Sequence, residues 1–262
     1  MAVFLRSYFY PTFVPMALAV QIQELNFAYK NQPPLIKDLH LEVKQGERFG
    51  IFGPNGAGKT TLMSLMTGLL HYERGSLKIL GKEVNAGKDE MNAMTGLVQQ
   101  DFSFYEELTP VENMEFFGAW YGLNKQQIKQ KTTELLAIMG LTDVQHKPVK
   151  HFSGGMKRRV NLAIGVMNNP KVLFLDEPTV GVDVHSRNAI ITFLKKINEE
   201  NGTTLVYTSH QLKEAEDLCQ AVALIDQGQI IAEDSLQNLL IKHQHDGLEG
   251  LFLELTGRDY RD

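Results

Sequence analysis

The eight residues from Gly53 to Thr60 constrain this chain more than any other segment. They read Gly-Pro-Asn-Gly-Ala-Gly-Lys-Thr, which matches the pattern Gly-x-x-x-x-Gly-Lys-[Ser/Thr]. Glycines let successive backbone amides point into a concave loop without Cβ clashes, and a helix that follows the loop favours anions at its N-terminus. The pattern therefore predicts a loop that holds the phosphates of a nucleoside triphosphate.

The segments on either side of the loop fit this interpretation. Residues 47–52 form a strand-like run that enters the loop, and residues 60–70 carry leucines and a methionine at helical spacing. In such a site Lys59 can reach the β- and γ-phosphates, and the Thr60 hydroxyl can bind Mg²⁺. The alternative, an ordinary glycine turn with a surface lysine, is disfavoured by this context.

Composition limits the class of protein. The 262 residues are 43% apolar, which is enough for one large α/β domain or two small ones. A net charge of −5 argues weakly against a generic nucleic-acid binder. No uninterrupted apolar run reaches the roughly 18 residues of a membrane-spanning helix, so a membrane role would need a separate chain. The single cysteine, Cys219, is expected to be buried.

The first fifteen residues differ from the rest of the chain. They are rich in aromatic residues and lack the apolar core and cleavage site of a signal peptide, and Met16 directly precedes the first strand-like run. We expect residues 1–15 to be a disordered or non-native extension and residues 16–262 to form a single nucleotide-binding domain. Loss of nucleotide binding on deletion of residues 1–15 would contradict this expectation.

The order of predicted elements indicates an α/β fold. Strand-like runs occur at residues 19–29, 39–43, 48–52, 76–80, 96–99, 172–175, 203–208 and 221–225. Helical patterns separate most of the later runs, which predicts a largely parallel sheet flanked by helices, whereas the early runs cluster and predict an antiparallel lobe. A helical insert fills about residues 101–168. A capping box at Thr109 to Glu112 opens it, and Gly122 and Gly140 are plausible helix ends.

Two adjacent carboxylates follow a buried strand pattern. The apolar run at residues 172–175 leads directly into Asp176 and Glu177, and ligands bind at the carboxyl ends of parallel strands. Neighbouring residues on a strand point to opposite sides, so we expect the two side chains to have different tasks. One can bind Mg²⁺ while the other addresses the attacking water.

Residues 151–159 carry a resemblance to a known family. They read His-Phe-Ser-Gly-Gly-Met-Lys-Arg-Arg, which is similar to the Leu-Ser-Gly-Gly-Gln signature of ATP-binding-cassette (ABC) ATPases, in the variant of bacterial drug-exporter subunits of the daunorubicin-resistance type. The resemblance covers about residues 18–261. It implies a P-loop NTPase (RecA-like) core with a parallel sheet, an N-terminal antiparallel β lobe and an inserted helical subdomain at about residues 101–168.

The resemblance also implies roles for individual residues. It makes Glu177 the general base, His210 the switch histidine and Gln100 the lid glutamine, although neighbouring Gln99 is the alternative. The implied metal ligands are Thr60, Gln100 and Asp176, with Mg²⁺ as the ion. The implied ATP-binding residues are Tyr29 at the adenine, then Gly53, Pro54, Asn55, Gly56, Ala57, Gly58, Lys59, Thr60 and Thr61 in the loop, Ser153, Gly154 and Gly155 in the signature, and Asp183 in the D-loop.

The signature predicts how copies of the chain assemble. Ser153 and the amides of Gly154 and Gly155 open a helix that is rich in cations, namely Lys157, Arg158 and Arg159, so we expect its N-terminus to be a second anion site. One phosphate chain cannot use two helix ends of one protomer, and in the family the signature closes over the ATP of the other subunit, so we expect an ATP-dependent head-to-tail homodimer. Met156 departs from the usual glutamine, which removes an amide's hydrogen bonds at this position but not the phosphate contacts.

An aromatic segment is a candidate surface for a partner. Residues 102–105 and the helical residues Met114, Phe116, Phe117, Trp120 and Tyr121 hold more aromatic surface than one helix stripe needs. Met114, Phe117 and Tyr121 are at helical spacing and are expected to face the core. In transporters that this chain resembles, the groove after the lid glutamine receives a coupling helix of the membrane subunit. A purely structural role for these aromatic residues is the alternative. A charge at Phe104 that unfolds the domain would favour that alternative.

The leading hypothesis is the ATP-hydrolysing subunit of an ABC exporter, located in the cytoplasm at the inner face of the cell membrane and bound to a separate permease. The rival is a soluble cassette ATPase that acts on ribosomes or nucleic acid, but the chain has no tandem cassette and no basic extension. Both Glu177 and His210 are present, which disfavours an inactive regulatory module. Co-purification with membranes or with ribosomes would separate the first two hypotheses. The transported molecule cannot be inferred from the sequence.

Overall fold

A computed structural model describes residues 17–86, 88–245 and 247–257. The expectations for residues 1–15 and Met16, and the part of the resemblance that lies beyond residue 257, fall outside these ranges. The strands are β1 Leu18–Phe27, β2 Ile36–Lys44, β3 Arg48–Phe52, β4 Arg74–Ile79, β5 Lys82–Glu83, β6 Thr95–Val98, β7 Val172–Asp176, β8 Thr204–Ser209, β9 Ala221–Asp226 and β10 Gln229–Ser235. The α-helices are α1 Lys59–Met66, α2 Lys88–Met94, α3 Pro110–Trp120, α4 Lys125–Ile138, α5 Gly154–Gly165, α6 Val184–Asn201, α7 Leu212–Leu218, α8 Leu236–His243 and α9 Leu248–Thr256.

The strands form two sheets, as the sequence predicts. The order β2-β1-β4-β5 makes an antiparallel lobe, and the order β10-β9-β3-β8-β7-β6 makes a second sheet of six strands. In this second sheet all pairs are parallel except β10 with β9. The hairpin strand β10 and the short β5 are additional to the predicted strands.

The register of the parallel sheet brings the ends of its central strands together. Phe52 at the end of β3 lies opposite Ser209 at the end of β8, and Asp176 at the end of β7 lies opposite Thr208. Side chains that follow these strands therefore gather at one edge of the sheet, which is where ligands bind in folds of this class.

The inserted helices begin and end at the predicted signals. The Thr109 side chain accepts a hydrogen bond from the Glu112 amide, Glu112 bonds back to Thr109, and Pro110 is the first residue of α3. A second capping box starts α4 at Asn124. Both Gly122 and Gly140 have positive φ just beyond the helices that they follow. Capping side chains satisfy the free backbone groups at the start of a helix, and a glycine with positive φ ends it. The sequence therefore predicted these helix ends.

Two hydrophobic clusters form the core on the two faces of the parallel sheet. One packs the inserted helices with α6 and α7, and the other joins the antiparallel lobe to α1. Cys219 is buried as predicted, just after α7, and burial raises the pKa of its thiol. Within the described ranges, no helix has the length and apolar character needed to cross a bilayer.

Candidate nucleotide-binding site

The loop at residues 53–58 leads directly into α1 and leaves the start of that helix uncapped. Gly58 is the N-cap in the left-handed conformation, with φ of 106°, and no side chain accepts a hydrogen bond from the helix N-terminus. The first amides of a helix carry no intrahelical partner and attract anions. A cleft of about 190 Å³ lies here, lined by the loop, Thr61, Gln100 and Glu177. The geometry therefore suits a bound phosphate group.

Lys59 lies inside the curve of the loop. Its side chain is only 5% exposed, and its ammonium donates hydrogen bonds to the carbonyl oxygens of Gly53 at 2.8 Å and Pro54 at 3.2 Å. Burial lowers the pKa of Lys59 below its ordinary value, although the carboxylates of Glu177 and Asp176 oppose this shift. A buried ammonium in such a position is ready to exchange loop carbonyls for phosphate oxygens.

Asp176 is held by two hydroxyl groups at the end of β7. It accepts a hydrogen bond from the Thr208 hydroxyl at 2.6 Å and a long one from the Thr60 hydroxyl at 3.4 Å. Burial raises the pKa of Asp176 above its ordinary value, and these hydrogen bonds partly oppose the effect. A hydroxyl and a carboxylate side by side are hard oxygen donors of the kind that Mg²⁺ binds, so this pair fits the predicted metal.

The backbone at Glu177 differs from the expectation that Asp176 and Glu177 point to opposite sides of a strand. β7 ends at Asp176, and Glu177 has a left-handed backbone with φ of 47°. Strand alternation therefore does not apply to it, and both carboxylates face the phosphate loop. Oε1 of Glu177 lies 3.8 Å from the Lys59 ammonium, and its amide donates a hydrogen bond to the carbonyl oxygen of Thr208 at 3.1 Å. If the two carboxylates have different tasks, the difference must come from the side chains that contact them, which include Thr60 and Thr208 at Asp176 and Lys59 and Gln100 at Glu177.

Gln100 and His210 meet at the Glu177 carboxylate. The Gln100 side-chain amide donates a hydrogen bond to it at 3.2 Å, whereas the Gln99 carbonyl oxygen accepts hydrogen bonds from Arg158 and Asn161. Nδ1 of His210 also lies 3.2 Å from Glu177 Oε1, but without the angles of a hydrogen bond. Of the two candidate glutamines, Gln100 is the one whose side chain contacts Glu177, and both line the cleft beside Thr60 and Asp176.

A buried carboxylate beneath the site was missed by the sequence analysis. Glu214 in α7 is 1% exposed and accepts hydrogen bonds from the hydroxyls of Tyr207 at 2.6 Å, Thr179 at 2.7 Å and Ser209 at 2.8 Å. Thr179 lies two residues after Glu177, and Ser209 directly precedes His210. The network therefore fixes both segments that carry the predicted catalytic side chains. The sequence offered no signal for it, because the helical pattern of Leu212, Ala215 and Leu218 does not show that Glu214 is buried.

Tyr29 reaches the phosphate loop from the antiparallel lobe. Its hydroxyl lies 3.1 Å from the Thr61 hydroxyl, and its ring meets Phe27 edge to face at 4.9 Å. The residue is 39% exposed, so part of it is accessible to a ligand. This arrangement fits the predicted contact with adenine.

The same lobe is joined to the phosphate loop through the turn between β9 and β10. The Gly228 amide donates a hydrogen bond to Ala57 in the loop, and its carbonyl oxygen accepts one from Lys37 in β2. Gly228 has φ of 78°, and a Cβ at this position would collide with the carbonyl oxygen of Leu35. Only glycine therefore fits between the lobe and the loop.

The signature segment, residues 151–159, forms a second helix start. The Ser153 side chain caps α5 by accepting a hydrogen bond from the Met156 amide, and both Ser153 and Gly154 are exposed. A Cβ at Gly155 would lie 2.7 Å from the Ser186 hydroxyl, so α5 packs closely against the start of α6. Asp183 caps α6 by accepting hydrogen bonds from Ser186, which hold the pKa of its carboxylate below its ordinary value. Signature and D-loop thus form one continuous surface.

The three cations of the signature are engaged by protein oxygens and are not left free for an anion at the start of α5. Lys157 pairs with Glu106 at 2.7 Å, Arg158 donates to the carbonyl oxygens of the two glutamines, and Arg159 donates to the Met139 carbonyl oxygen at 2.8 Å. All three side chains are thus bonded to carboxylate or carbonyl oxygens of neighbouring segments. What remains at the exposed start of α5 is the serine and the backbone amides.

The aromatic segment divides into a buried and an exposed part. Phe104 and Met114 are 8% and 0% exposed, whereas Tyr105, Phe116 and Trp120 are 49%, 44% and 76% exposed. Tyr105 and Phe116 pack edge to face at 5.0 Å. The core therefore accounts for only part of these aromatic residues. Because Phe104 belongs to the core, a charge there would unfold the domain in either case and cannot test partner binding.

Comparison with known proteins reveals relatives of this chain. The profile of the ABC transporter family matches residues 36–180, which is more than half of the chain. The linearmycin resistance ATP-binding protein LnrL of Bacillus subtilis is 40% identical over 81% of this chain and 68% of its own length. The Nod factor export ATP-binding protein I of Cupriavidus pinatubonensis is 34% identical over 88% of this chain and 71% of its own length.

The relatives also include an import protein and a solved dimer. The methionine import ATP-binding protein MetN of Clostridioides difficile is 30% identical over 86% of this chain and 71% of its own length. An ATP-binding cassette, solved as a dimer in a post-hydrolysis state with ADP and Pi, matches with a TM-score of 0.75 and 26% identity. That match covers 82% of this chain and 98% of the solved one. All four proteins are named for ATP binding.

Proposed function

Because this chain belongs to the ABC transporter family and is an ATPase, we propose that it is the energising subunit of an exporter and works with a separate integral-membrane permease. The observation that carries this proposal is the convergence of Lys59, Asp176 and Glu177 at one phosphate loop. Two relatives named for drug resistance and for export support the direction of transport. The same reasoning makes the chain a peripheral protein at the inner face of the cell membrane, with residues 16–262 as a single nucleotide-binding domain.

Each side chain of the site has a task in this proposal. Lys59 and the amides at the start of α1 bind the β- and γ-phosphates, and Tyr29 packs against the adenine. Thr60, Asp176 and Gln100 hold Mg²⁺, which supplies neutralisation of phosphate charge when it is bound. Glu177 accepts a proton from the attacking water, and His210 stabilises the γ-phosphate.

Two copies of the chain are proposed to share two ATP molecules head to tail. The exposed Ser153 and the amides of Gly154 and Gly155 contact the ATP that is held by the loop of the other copy. Asp183, in the same surface, lies between the two sites. The start of α5 offers a serine and backbone amides but no cation that points toward a ligand. Such a helix start is better suited to completing the phosphate site of another copy than to binding phosphate by itself.

Mixing two inactive variants tests the shared site. Lys59→Ala disables the loop half, and Ser153→Asp keeps a good N-cap while its charge repels phosphate. In a head-to-tail dimer of these two variants, one site combines both defects and the other is intact. We therefore expect ATPase activity on mixing that neither variant shows alone.

The matched control carries both changes in one chain. A dimer of this double variant with the wild type has one defect in each site, so added double variant should lower wild-type turnover. If each copy completed its own site, the outcomes would be reversed: the mixed single variants would stay inactive and the double variant would not inhibit. That result would contradict the proposed dimer.

The exposed aromatic residues Tyr105, Phe116 and Trp120 are the proposed docking surface for the permease. They lie just after Gln100, and large exposed aromatic groups are typical of protein interfaces. We expect Trp120→Glu to keep the ATPase folded and active but to prevent its isolation with a permease in membrane fractions. Continued isolation of the variant with the membrane fraction would contradict this surface.

A further inference from the structure

Arg158 connects the signature helix to the backbone of the lid glutamines, Gln99 and Gln100. Its guanidinium donates hydrogen bonds through Nη1 to the carbonyl oxygen of Gln99 at 3.1 Å and to that of Gln100 at 2.8 Å. Asn161, further along α5, donates a third hydrogen bond, to Gln99 at 3.2 Å. The main chain of both glutamines is thus fixed to one helix.

This connection is made by a charged group in the interior. Arg158 is only 5% exposed, its Nε has no hydrogen-bond partner within the described residues, and its guanidinium lies 4.8 Å from the centre of the Phe102 ring. Burying a guanidinium with unsatisfied donors costs free energy, and an apolar side chain of similar volume could fill the same space. The arginine therefore provides something other than packing, namely donors at a fixed spacing.

A second contact attaches the far end of the same segment to α5. Lys157, the residue before Arg158, pairs with Glu106 at 2.7 Å. Residues 99–106 are therefore held to α5 at both ends, and this segment carries the Gln100 side chain that donates to Glu177. A displacement of α5 must move the backbone from which Gln100 reaches the site.

We propose that Arg158 is a positioning residue that sets the reach of Gln100 according to the position of the signature helix. The proposal rests on the proposed function, in which the start of α5 contacts the ATP of the second copy. ATP bound to the loop of one copy would then contact α5 of the other copy and position the Gln100 of that other copy. The hydrolysis of ATP at the two sites would therefore be coupled. The chemical group involved is Gln100, and Arg158 acts only through it.

A double-mutant cycle tests this dependence. We expect Arg158→Gln to lower kcat about tenfold or more, because small misplacements of a catalytic group have effects of this size. The dissociation constant for ATP should change less than about twofold, since Arg158 touches neither the loop nor Tyr29. In a Gln100→Ala background, Arg158→Gln should cause no further loss of kcat, because the side chain that it positions is gone.

Arg48→Gln is the matched control. Arg48 also joins two segments, donating to the carbonyl oxygen of Leu218 at 2.9 Å and to the side chain of Asn198 at 2.8 Å, but it lies at the start of β3, away from the loop. We expect this variant to lower the melting temperature and to leave kcat unchanged. If Arg158→Gln fails to fold, Arg158→Lys, which keeps the charge but loses the planar fork, replaces it in the same cycle.

The possible failures are distinguishable. Equal losses of kcat in the wild-type and Gln100→Ala backgrounds would overturn the proposal for Arg158 and leave the proposed function intact. An unchanged kcat in Gln100→Ala itself would overturn the role of Gln100 in the proposed function, and the proposal for Arg158 with it. A loss in Arg158→Gln that Arg48→Gln matches would show an effect of stability alone.

Discussion

Two glycine-containing helix starts in this chain look alike in sequence and differ in their surroundings. At the start of α1, Lys59 and the carboxylates of Asp176 and Glu177 surround the uncapped amides. At the start of α5, Ser153 caps the helix and the neighbouring cations are bound to other segments. The first start is a nearly complete site, whereas the second has only neutral donors. The difference indicates that an anion-binding pattern in a sequence identifies a helix end but not the charges around it.

The largest expected effect concerns the first helix start. Glu177→Gln should lower turnover by roughly 10²- to 10⁴-fold, because it removes the proposed general base while keeping the shape of the side chain. ATP should still bind, so the variant should accumulate as a dimer with Mg²⁺ and ATP. Size-exclusion chromatography with light scattering would detect twice the 29.5 kDa chain mass. A variant that stays monomeric with saturating ATP would contradict the shared site.

The second prediction contrasts the two helix starts directly. Lys59→Ala should weaken ATP binding by the isolated chain about 10- to 100-fold, because it removes a charged hydrogen-bond donor from the phosphates. Ser153→Asp should leave that affinity unchanged and abolish turnover, since its helix start would contact ATP only in the proposed dimer. Titration with a fluorescent ATP analogue at low protein concentration measures both. Equal losses of affinity in the two variants would remove the distinction between the two helix starts.

The third prediction concerns the inserted helices on which the second helix start depends. Phe104→Ala should lower the free energy of unfolding by about 3–5 kcal/mol, because it leaves a cavity in the core. Trp120→Ala, at an exposed position, should change it by less than about 0.5 kcal/mol. Urea denaturation compares the two. A large destabilisation by Trp120→Ala would mean that the exposed aromatic surface supports the fold rather than a partner.

The smallest expected effect is at Met156. Met156→Gln restores the amide of the common signature, and one neutral hydrogen bond of about 0.5–1.5 kcal/mol would lower KM for ATP by about two- to tenfold. The value of kcat should not change, because the proposed phosphate contacts come from Ser153 and Gly155. Steady-state kinetics separate the two parameters. A changed kcat would show that the second helix start acts on the reacting phosphate through position 156.

Local signals made much of the fold predictable from the sequence. The parallel sheet follows from apolar runs that alternate with helical patterns, and the ends of α3 follow from Thr109, Pro110 and Gly122. The hairpin of β9 and β10 was missed because Gln227 and Gly228 adopt positive φ in a turn without the usual Asn-Gly or Asp-Gly pair. Turn chemistry, rather than hydrophobic pattern, was the missing signal.

The site was predictable in its residues but not in its contacts. Lys59 and Asp176 follow from motifs whose spacing reflects the needs of phosphate and Mg²⁺. The left-handed backbone of Glu177 has no local signal, because it depends on the Thr208 carbonyl oxygen in a neighbouring strand. The course of the Arg158 side chain likewise depends on carbonyl oxygens 58 and 59 residues away in the sequence. Tertiary contacts of this kind cannot be read from a single sequence.

The Gly228 turn has a consequence for nucleotide binding. Tyr29 in the antiparallel lobe is the proposed adenine contact, and Ala57 belongs to the phosphate loop. The hydrogen bonds of Gly228 join the lobe to this loop and so fix where the proposed adenine contact lies relative to the phosphates. A side chain at position 228 would collide with the Leu35 carbonyl oxygen and push the lobe away from the loop, so we expect it to weaken the combined binding of base and phosphates.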